Sequence, residues 1–345
     1  MSSIPNPVRI FMAPAPRAVG DIFDARDLER LRALGELVIH EDGPVTDAVF
    51  AEQAAGATLI IGQFELPAER LAQLPALRVV FNVEGNFLPN IDYGYCFSHG
   101  IRVLNVSPVF AEPVAEVALA MAIDLGRGVS RSDRRFRDHT ERYGLDANRD
   151  ARSLFRQKVG FIGMGDLGKA ILPLLAPFGC DILAYDPWLP AEYLTGLGCT
   201  AATLDQVLRQ SGTVFVVAGA TSQNQGFLGA EQFAAMQPGA SLVLVSRAGV
   251  VDFEAMLDAA ASGHIRVATD VFPMEPVPAE HRLRTLDNLL LSPHQAGAMD
   301  GALAAIGKLV VADAELVARG LAPVMCKVAQ PESVTLFRSK PVEKS

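Results

Sequence analysis

The chain has 345 residues, of which 50% are hydrophobic and 20% are charged, so it can form two domains with substantial cores. Its net charge of −9 argues against a nucleic-acid partner and against binding to anionic membranes. The four cysteines are scattered without zinc-ligand spacing, no apolar run is long enough to cross a bilayer, and residues 1–7 show no signal-peptide pattern. We therefore expect a cytoplasmic protein with free thiols, no metal site and no membrane span.

The first hundred residues alternate strand-like and helix-like segments. Apolar, strand-like runs occur at 8–12, 36–40, 57–62, 77–83 and 101–106, and helical spacing at 27–34, 47–54 and 68–74. This alternation predicts a parallel sheet covered by helices on both faces. Because ligands bind such sheets beyond the carboxyl ends of the strands, the loop that contains Glu84, Gly85 and Asn86 is a candidate ligand-binding loop.

The middle and the end of the chain contain the longest predicted helices. Residues 112–127 have helical spacing, are apolar nearly all round, and place Pro113 near the first turn. Residues 127–158 mix arginine and aspartate, which predicts a charged, solvent-exposed helix and loop. A long, Ala-rich helix is predicted at 298–319, and the polar tail from Gln330 is expected to be loosely held.

The clearest functional pattern lies at residues 159–168, where a short apolar strand leads into a glycine turn and then a helix. Gly163 permits the tight turn, Gly165 lets a pyrophosphate approach the backbone, and Gly168 lets the helix pack closely on the strand. The helix N-terminus offers unpaired N–H groups to phosphates. The pattern therefore predicts a dinucleotide site formed by Gly163, Gly165, Asp166, Leu167 and Gly168.

A second strand at 180–185 ends at Asp186, which lies 18 residues after Gly168. This is close to the spacing of an acid that binds the adenosine ribose hydroxyls. A carboxylate there would repel a 2′-phosphate, and neither Pro187 nor Trp188 supplies an arginine to receive one. The residue therefore favours NAD over NADP, and it favours a dinucleotide site over a purely structural glycine turn.

Polar residues also follow three later apolar strands. Arg247 comes after one strand, and its planar guanidinium suits a carboxylate, although a structural salt bridge is an alternative. Asp270 and Glu275 flank a proline-rich turn after the next strand. His294 follows the third, and a histidine with a glutamate partner beside a nicotinamide is a good proton donor and acceptor.

In this order, these segments resemble the D-isomer-specific 2-hydroxyacid dehydrogenases. The likeness covers roughly residues 75–320 and rests on five segments: Val-Ala-Glu at 114–116, the glycine turn, Ser-Arg-Ala-Gly-Val-Val-Asp at 246–252, Asp-Val-Phe-x-x-Glu-Pro at 270–276 and Pro-His-x-Ala-Gly at 293–297. The resemblance implies an α/β fold of two doubly wound parallel-sheet domains. A flavodoxin-like substrate domain would comprise residues 1–118 and 299–345, and an inserted Rossmann NAD-binding domain residues 119–298. It also implies a homodimer.

The resemblance implies a role for each candidate residue. Arg247 would bind the carboxylate of a small 2-keto or 2-hydroxy acid, His294 would exchange a proton with its C2 oxygen, and Glu275 would orient the imidazole. Thr221 and Ser246 would serve the cofactor side of the site, and Asp270 would support the network of His294 and Glu275 or the nicotinamide side. The implied function is NAD-dependent hydride transfer at C2. The alternative is an NAD(H)-binding scaffold with little turnover, because corepressors of the same family keep the same three residues.

The candidate ligand-binding loop departs from the family pattern Gly-x-Gly-x-Asp-x-x-Asp, since this chain has Val-Glu-Gly-Asn-Phe at 83–87. The resemblance implies that Glu84, Gly85 and Asn86 hold the substrate. We hypothesise that Glu84 selects a substrate that carries hydroxyls or a cation, because it would repel a dianionic keto acid. The alternative is that Glu84 faces solvent or pairs with a lysine or arginine.

Overall fold

The computed structural model describes residues 8–337, and the chain divides into two compact units. The first unit comprises the residues up to Phe110 together with those from Ala298 onward, and the second comprises Ala111–Gly297. Each unit has its own sheet, and the predicted α/β fold with two parallel sheets is confirmed.

The first unit is built on a six-stranded sheet with the order β13-β5-β4-β3-β1-β2, in which only β13 is antiparallel to its neighbour. Its elements are β1 (Val8–Ala13), α1 (Val19–Ile22), α2 (Ala25–Leu34), β2 (Gly35–Ile39), α3 (Asp47–Gln53), β3 (Leu59–Gly62), α4 (Ala68–Leu71), β4 (Val79–Asn82), α5 (Tyr93–Ser98), β5 (Arg102–Asn105), α13 (Asp300–Ala318), β13 (Lys327–Val328) and α14 (Pro331–Val334).

The second unit is built on a seven-stranded parallel sheet with the order β12-β11-β10-β9-β6-β7-β8. Its elements are α7 (Val129–Arg137), β6 (Lys158–Ile162), α8 (Asp166–Leu175), β7 (Asp181–Tyr185), α9 (Ala191–Gly196), β8 (Thr200–Ala201), α10 (Leu204–Gln210), β9 (Thr213–Val216), α11 (Ala230–Ala235), β10 (Ala240–Leu244), α12 (Phe253–Ala261), β11 (Ile265–Thr269) and β12 (Leu289–Leu291). One further helix, α6 (Pro108–Arg127), contains the boundary between the units.

The central strands are buried along their whole length, as in β3, β4, β9 and β10. Helices cover both faces of such parallel sheets, so the strand sequences are nearly continuous apolar runs rather than alternating ones. In each unit two apolar clusters form the core, one on either face of the sheet. Parallel connections also bring the carboxyl ends of all the parallel strands to one edge, where polar residues follow them.

Two sequence predictions are wrong in detail. Helix α6 begins at Pro108 rather than at residue 112, because proline is favoured at the first helical position, and Pro113 therefore lies inside the helix. The tail is not loose from Gln330, since Val334 of α14 is buried at 4% exposure and packs in the core of the first unit. Residues 338–345 of the predicted tail and the N-terminal residues 1–7 lie outside the described residues.

All four cysteines are free: Cys96, Cys199 and Cys326 are buried and Cys180 is half-buried. Burial raises the pKa of the Cys96 thiol to about 12, so it is not a thiolate at neutral pH. Within residues 8–337, no group of histidine, cysteine or acidic side chains is arranged to hold a metal ion. No helix in the same range is long and apolar enough to span a bilayer.

The long helix α13 packs so closely on the N-terminal helices that one of its glycines leaves no space for a side chain. A Cβ on Gly307 would lie 2.2 Å from the carbonyl oxygen of Ile22 and 2.9 Å from the Phe23 ring. Overpacking of this kind costs about 1–3 kcal/mol, so Gly307→Ala is expected to lower the free energy of unfolding measured in urea. The matched control is Gly301→Ala on the same helix, where the nearest atom is 3.9 Å away. Equal stability of the two variants would contradict this packing.

Candidate active site

The candidate catalytic residues follow three neighbouring strands of the second unit. Arg247 comes after β10, Asp270 directly after β11 and His294 after β12. These strands are adjacent and parallel, so their carboxyl ends lie at one edge of the sheet. The sequence separates these residues by up to 47 positions, and the topology brings the loops that carry them to the same edge.

The imidazole of His294 is paired with a carboxylate. Its Nδ1 lies 2.7 Å from Oε2 of Glu275. The other carboxylate oxygen, Oε1, accepts a hydrogen bond of 2.9 Å from the backbone N–H of Phe272. This bond holds the Glu275 side chain against the loop that carries it. Because Nδ1 is engaged, Nε2 is the ring nitrogen that can exchange a proton with a ligand. The His294 side chain is 45% exposed, so such a ligand could reach it.

The loop that carries His294 is held in an unusual backbone conformation by Asp270. His294 has φ +52°, in the left-handed region that non-glycine residues rarely adopt. The Asp270 carboxylate, only 2% exposed, accepts hydrogen bonds from the Ser292 hydroxyl and from the backbone N–H groups of Gln295 (3.1 Å) and Ala296 (3.0 Å). These bonds surround His294 on both sides and compensate the local strain. Asp270 therefore positions the histidine loop.

Arg247 is half-buried just beyond the end of β10. Its Nη1 donates a hydrogen bond of 2.6 Å to the carbonyl oxygen of Ser246, which restrains the guanidinium. The Ser246 hydroxyl is itself buried and donates to the carbonyl oxygen of Val216, so it joins the ends of β10 and β9. The Ser246 hydroxyl therefore already has a hydrogen-bond partner within the sheet.

The glycine turn after β6 has the geometry that a dinucleotide requires. Gly163 has φ +91°, and a Cβ there would lie 2.6 Å from the Cα of Ala218. A Cβ on Gly168 would lie 2.9 Å from Sδ of Met164, so this glycine allows the close packing of α8. A Cβ on Gly165, in contrast, would meet no atom of a more distant residue within 4 Å, so this part of the backbone is open to a bulky anion. The residues present therefore fit a pyrophosphate.

The residues next to the turn fit the rest of an NAD site. Asp186 follows β7, and its Oδ2 accepts a hydrogen bond of 2.8 Å from the Met164 N–H while its Oδ1 accepts one of 2.9 Å from the Trp188 N–H. These bonds fix the carboxylate and leave lone pairs for ribose hydroxyls. Asp166 begins α8 and lies 3.7 Å from Nζ of Lys169, which supplies a cation near the turn.

Leu167 packs against the core of the second unit, and Thr221 lies in the loop after β9. Thr221 is 1% exposed, and its N–H donates to Oδ1 of Asn224 at 2.7 Å. Asn224 in turn donates from Nδ2 to the carbonyl oxygen of Gly219 at 2.8 Å, so it shapes the loop. Sequence reasoning missed Asn224, although an asparagine three residues after a threonine is a recognisable turn signal.

In the first unit, Glu84 follows β4 and is buried at 5% exposure. It pairs with Arg17, whose Nη2 lies 3.0 Å from Oε2. Glu84 therefore makes the ion pair with an arginine that was given above as the alternative to a role in substrate selection. Gly85 is close to Phe110, whose ring a Cβ would meet at 3.0 Å, and the Asn86 carbonyl accepts from Asn82 Nδ2 at 3.5 Å. Sequence reasoning missed Arg17 because it lies 67 residues from Glu84.

Comparison with known proteins gives one family match over most of the second unit. Residues 119–296 match the family described as D-isomer specific 2-hydroxyacid dehydrogenase, NAD binding domain. The D-3-phosphoglycerate dehydrogenase of Mycobacterium bovis is 31% identical over 73% of this chain and 47% of its own length. The chain thus spans about half the length of the phosphoglycerate dehydrogenases it matches.

Other similar proteins match the chain over nearly its whole length. The glyoxylate reductase of Korarchaeum cryptofilum is 28% identical over 86% of this chain and 91% of its own. Among solved structures, a phosphoglycerate oxidoreductase from Rhizobium etli is 42% identical, with a TM-score of 0.85, and the match covers 95% of this chain and all of that one.

Proposed function

Because the chain belongs to the D-isomer-specific 2-hydroxyacid dehydrogenase family and NAD is its cofactor, we propose that it reduces a small 2-keto acid to the D-2-hydroxy acid, or catalyses the reverse oxidation. The His294–Glu275 contact of 2.7 Å at the carboxyl edge of the second unit's sheet carries this proposal. NADH, when bound, would supply the hydride that adds to C2, and a proton is added to the C2 oxygen.

His294 is the proton donor in this reaction. Glu275 holds Nδ1, so Nε2 gives its proton to the keto oxygen during reduction and takes it back during oxidation. The same contact holds the imidazole ring in one orientation. Asp270 acts through the loop, because its hydrogen bonds fix the backbone on either side of the histidine.

Arg247 binds the substrate carboxylate in this proposal. Its guanidinium presents two parallel N–H groups, which match the two oxygens of a carboxylate. Binding the carboxylate in a fixed orientation places C2 and its oxygen for reaction. We also propose Glu84, Gly85 and Asn86 as substrate-binding residues, and the glycine turn, Asp166, Leu167, Asp186, Thr221 and Ser246 as cofactor-binding residues.

The proposal is tested by following NADH oxidation with a panel of keto acids: glyoxylate, hydroxypyruvate, pyruvate, 2-ketogluconate, oxaloacetate, phenylpyruvate and 2-ketoisocaproate. We expect turnover with at least one of them. The competing function is a scaffold that binds NAD(H) without catalysis. Tight NADH binding without turnover on the whole panel would favour that function and contradict ours. The predicted cytoplasmic location stays a prediction.

Replacing Asp186 with asparagine is expected to weaken NADH binding about 10- to 100-fold, because hydrogen bonds to a charged group contribute about 1.5–3 kcal/mol. Loss of the charge also removes the repulsion of a 2′-phosphate, so the preference for NADH over NADPH should narrow. Both affinities can be measured by fluorescence titration. Asp181→Asn, an exposed aspartate at the other end of β7, is the matched control. An unchanged affinity ratio in Asp186→Asn would contradict the assignment.

We also propose that the protein is a homodimer, with the segment 129–155 as its interface. Helix α7 buries none of its side chains, and this segment exposes five large apolar residues: Val129, Phe136, Tyr143, Leu145 and Phe155. Exposed apolar groups interspersed with both signs of charge suit a self-complementary contact between two copies.

Light scattering during size-exclusion chromatography is expected to give a mass of roughly twice the 36.8 kDa of one chain. Phe136→Glu should convert the protein to a monomer, since it places a charge in the apolar contact. Val324→Glu, at an equally exposed apolar position in the first unit, should leave the mass unchanged. A monomeric wild-type protein would contradict the proposal.

A further inference from the structure

The loop that carries His294 lies at the end of the second unit. Strand β12 (Leu289–Leu291) precedes it, and the unit ends at Gly297, three residues after the histidine. A loop between two elements of one sheet is held from both sides, whereas β12 is the last strand or helix within the described residues 111–297. The position of His294 therefore depends on hydrogen bonds made by the loop itself.

Ser292, two residues before the histidine, makes such bonds with its backbone and with its side chain. Its N–H donates to the carbonyl oxygen of Thr269 at 3.0 Å, at the end of the pairing between β11 and β12. Its carbonyl oxygen accepts from the N–H of His294 at 3.0 Å, which closes a tight turn around Pro293. Its hydroxyl donates to Oδ1 of Asp270. Ser292 thus connects the histidine with the last strand and with a buried carboxylate.

The Ser292 hydroxyl supplies a donor that the backbone cannot provide at this point, because Pro293 has no N–H. The Asp270 carboxylate is 2% exposed, and the donors that the described residues direct at it are this hydroxyl and the N–H groups of Gln295 and Ala296. Only the hydroxyl belongs to a side chain. A buried carboxylate that loses a donor is costly, so removing the hydroxyl weakens the contact between Asp270 and the loop.

One oxygen of Asp270 holds the loop on both sides of the histidine. Oδ1 accepts from the Ser292 hydroxyl before His294 and from the N–H of Gln295 after it. Between them His294 has φ +52°, a conformation that persists in a non-glycine residue only where its surroundings impose it. Without the hydroxyl, Asp270 would hold only the side that follows the histidine.

We propose that Ser292 is a positioning residue of the reaction. Its hydroxyl acts through Asp270 to hold His294 in the backbone conformation from which Nε2 exchanges a proton with the substrate. The inference rests on the proposed function, and it adds to that function a residue whose side chain acts on the histidine loop and not on the substrate. All of the contacts that support it lie within the second unit.

The first test is Ser292→Ala. We expect kcat to fall about 10- to 100-fold, because hydrogen bonds to charged groups contribute free energies of this size. The KM of the keto acid and the Kd of NADH are expected to stay within about twofold, since Arg247 and the glycine turn follow other strands. Wild-type kcat in this variant would overturn the inference, and so would an equal loss of NADH affinity.

The matched control for Ser292→Ala is Ser262→Ala. The hydroxyl of Ser262 also donates a hydrogen bond in the second unit, to the carbonyl oxygen of Ala259 at 2.9 Å, but it lies at the end of α12 and outside the candidate site. Its loss is expected to leave kcat unchanged. An equal fall of kcat in both variants would show a general effect of removing a hydroxyl and would overturn the inference.

The second test compares Ser292→Thr with Ser292→Val. The two side chains have nearly the same shape, and only threonine keeps the hydroxyl, so the comparison separates the hydrogen bond from volume. We expect kcat of Ser292→Thr to exceed that of Ser292→Val by about tenfold or more. Equal values would overturn the inference. This comparison decides the question if Ser292→Ala does not fold, as judged by its melting temperature.

The third test combines Ser292→Ala with Asp270→Ala. If the hydroxyl acts through the carboxylate, it has no effect once the carboxylate is gone, and kcat of the double variant should lie within about twofold of kcat of Asp270→Ala. Effects that multiply would show that the hydroxyl acts independently of Asp270 and would overturn the inference.

The activity of the wild-type protein separates this inference from the proposed function. If the wild-type protein reduces no keto acid of the panel, the proposed function fails, and this inference fails with it. If the wild-type protein reduces at least one and Ser292→Ala reduces it with the same kcat, only the positioning role of Ser292 fails.

Discussion

Replacing His294 with asparagine is expected to lower kcat by about 10²- to 10⁴-fold, the usual contribution of a positioned acid–base group. Asparagine tolerates the left-handed backbone that His294 adopts, so the loop should keep its shape. NADH affinity is expected to stay unchanged, because the glycine turn and Asp186 lie after other strands. The measurement is the steady-state rate of keto-acid reduction together with an NADH titration.

The matched control for this variant is His281→Asn. His281 is also partly exposed in the second unit and also lies near a glutamate, since its Nε2 is 3.9 Å from Oε1 of Glu254. It lies outside the candidate site, so its loss should leave kcat unchanged. An active His294→Asn enzyme, or an equal loss in both variants, would remove His294 from the proton-transfer role.

Arg247→Leu is expected to lower kcat/KM for the keto acid by roughly 30- to 5,000-fold, since truncating one partner of a charged, hydrogen-bonded pair costs about 2–5 kcal/mol. The loss should appear for every 2-keto acid of the panel, because all of them carry the carboxylate. For the corresponding aldehyde or ketone without a carboxylate, we expect the same low kcat/KM with the wild-type protein and with Arg247→Leu.

Arg247→Lys tests whether charge alone is enough. A lysine keeps the positive charge and lacks the planar pair of N–H groups, so we expect it to recover only part of the lost kcat/KM. Arg209→Leu, which removes an exposed arginine paired with Asp205, is the control for a general effect of charge. A fully active Arg247→Leu protein would show that the arginine has a structural role instead.

The sequence allowed the fold and much of the candidate site to be predicted because both depend on local patterns. A glycine turn between a strand and a helix is defined within ten residues, and Asp186 follows at a fixed spacing. Apolar runs define the buried strands, and their alternation with helices defines parallel sheets. The residues that follow these strands could then be assigned to one edge without knowing any distance.

The features that could not be predicted depend on contacts between distant segments. The pairing of Arg17 with Glu84 follows from the order of strands in the first unit. Asp313 is a second example. It is a fully buried carboxylate on α13 that accepts hydrogen bonds from the N–H groups of Val324, Met325 and Cys326, and so it fixes the chain leading to β13. In the sequence alone it is one of several acidic residues in a predicted helix.

Local signals also gave a wrong boundary for α6. The helical pattern predicted a helix from residue 112, with Pro113 near its first turn. The helix begins at Pro108 instead, and the buried residues Val109 and Ala111 extend its apolar surface. Burial of this kind depends on the folded unit, so the local pattern did not indicate it.

The central claim, hydride transfer to C2 of a keto acid, is tested most directly by isotope transfer. The protein is incubated with the best keto acid of the panel and NADH that carries deuterium at both C4 positions, and the product is analysed by NMR and chiral chromatography. We expect one deuterium at C2 of a hydroxy acid of the D configuration, and no deuterated product from His294→Asn over the same time. A product without deuterium, an L or racemic product, or no product with any keto acid would contradict it.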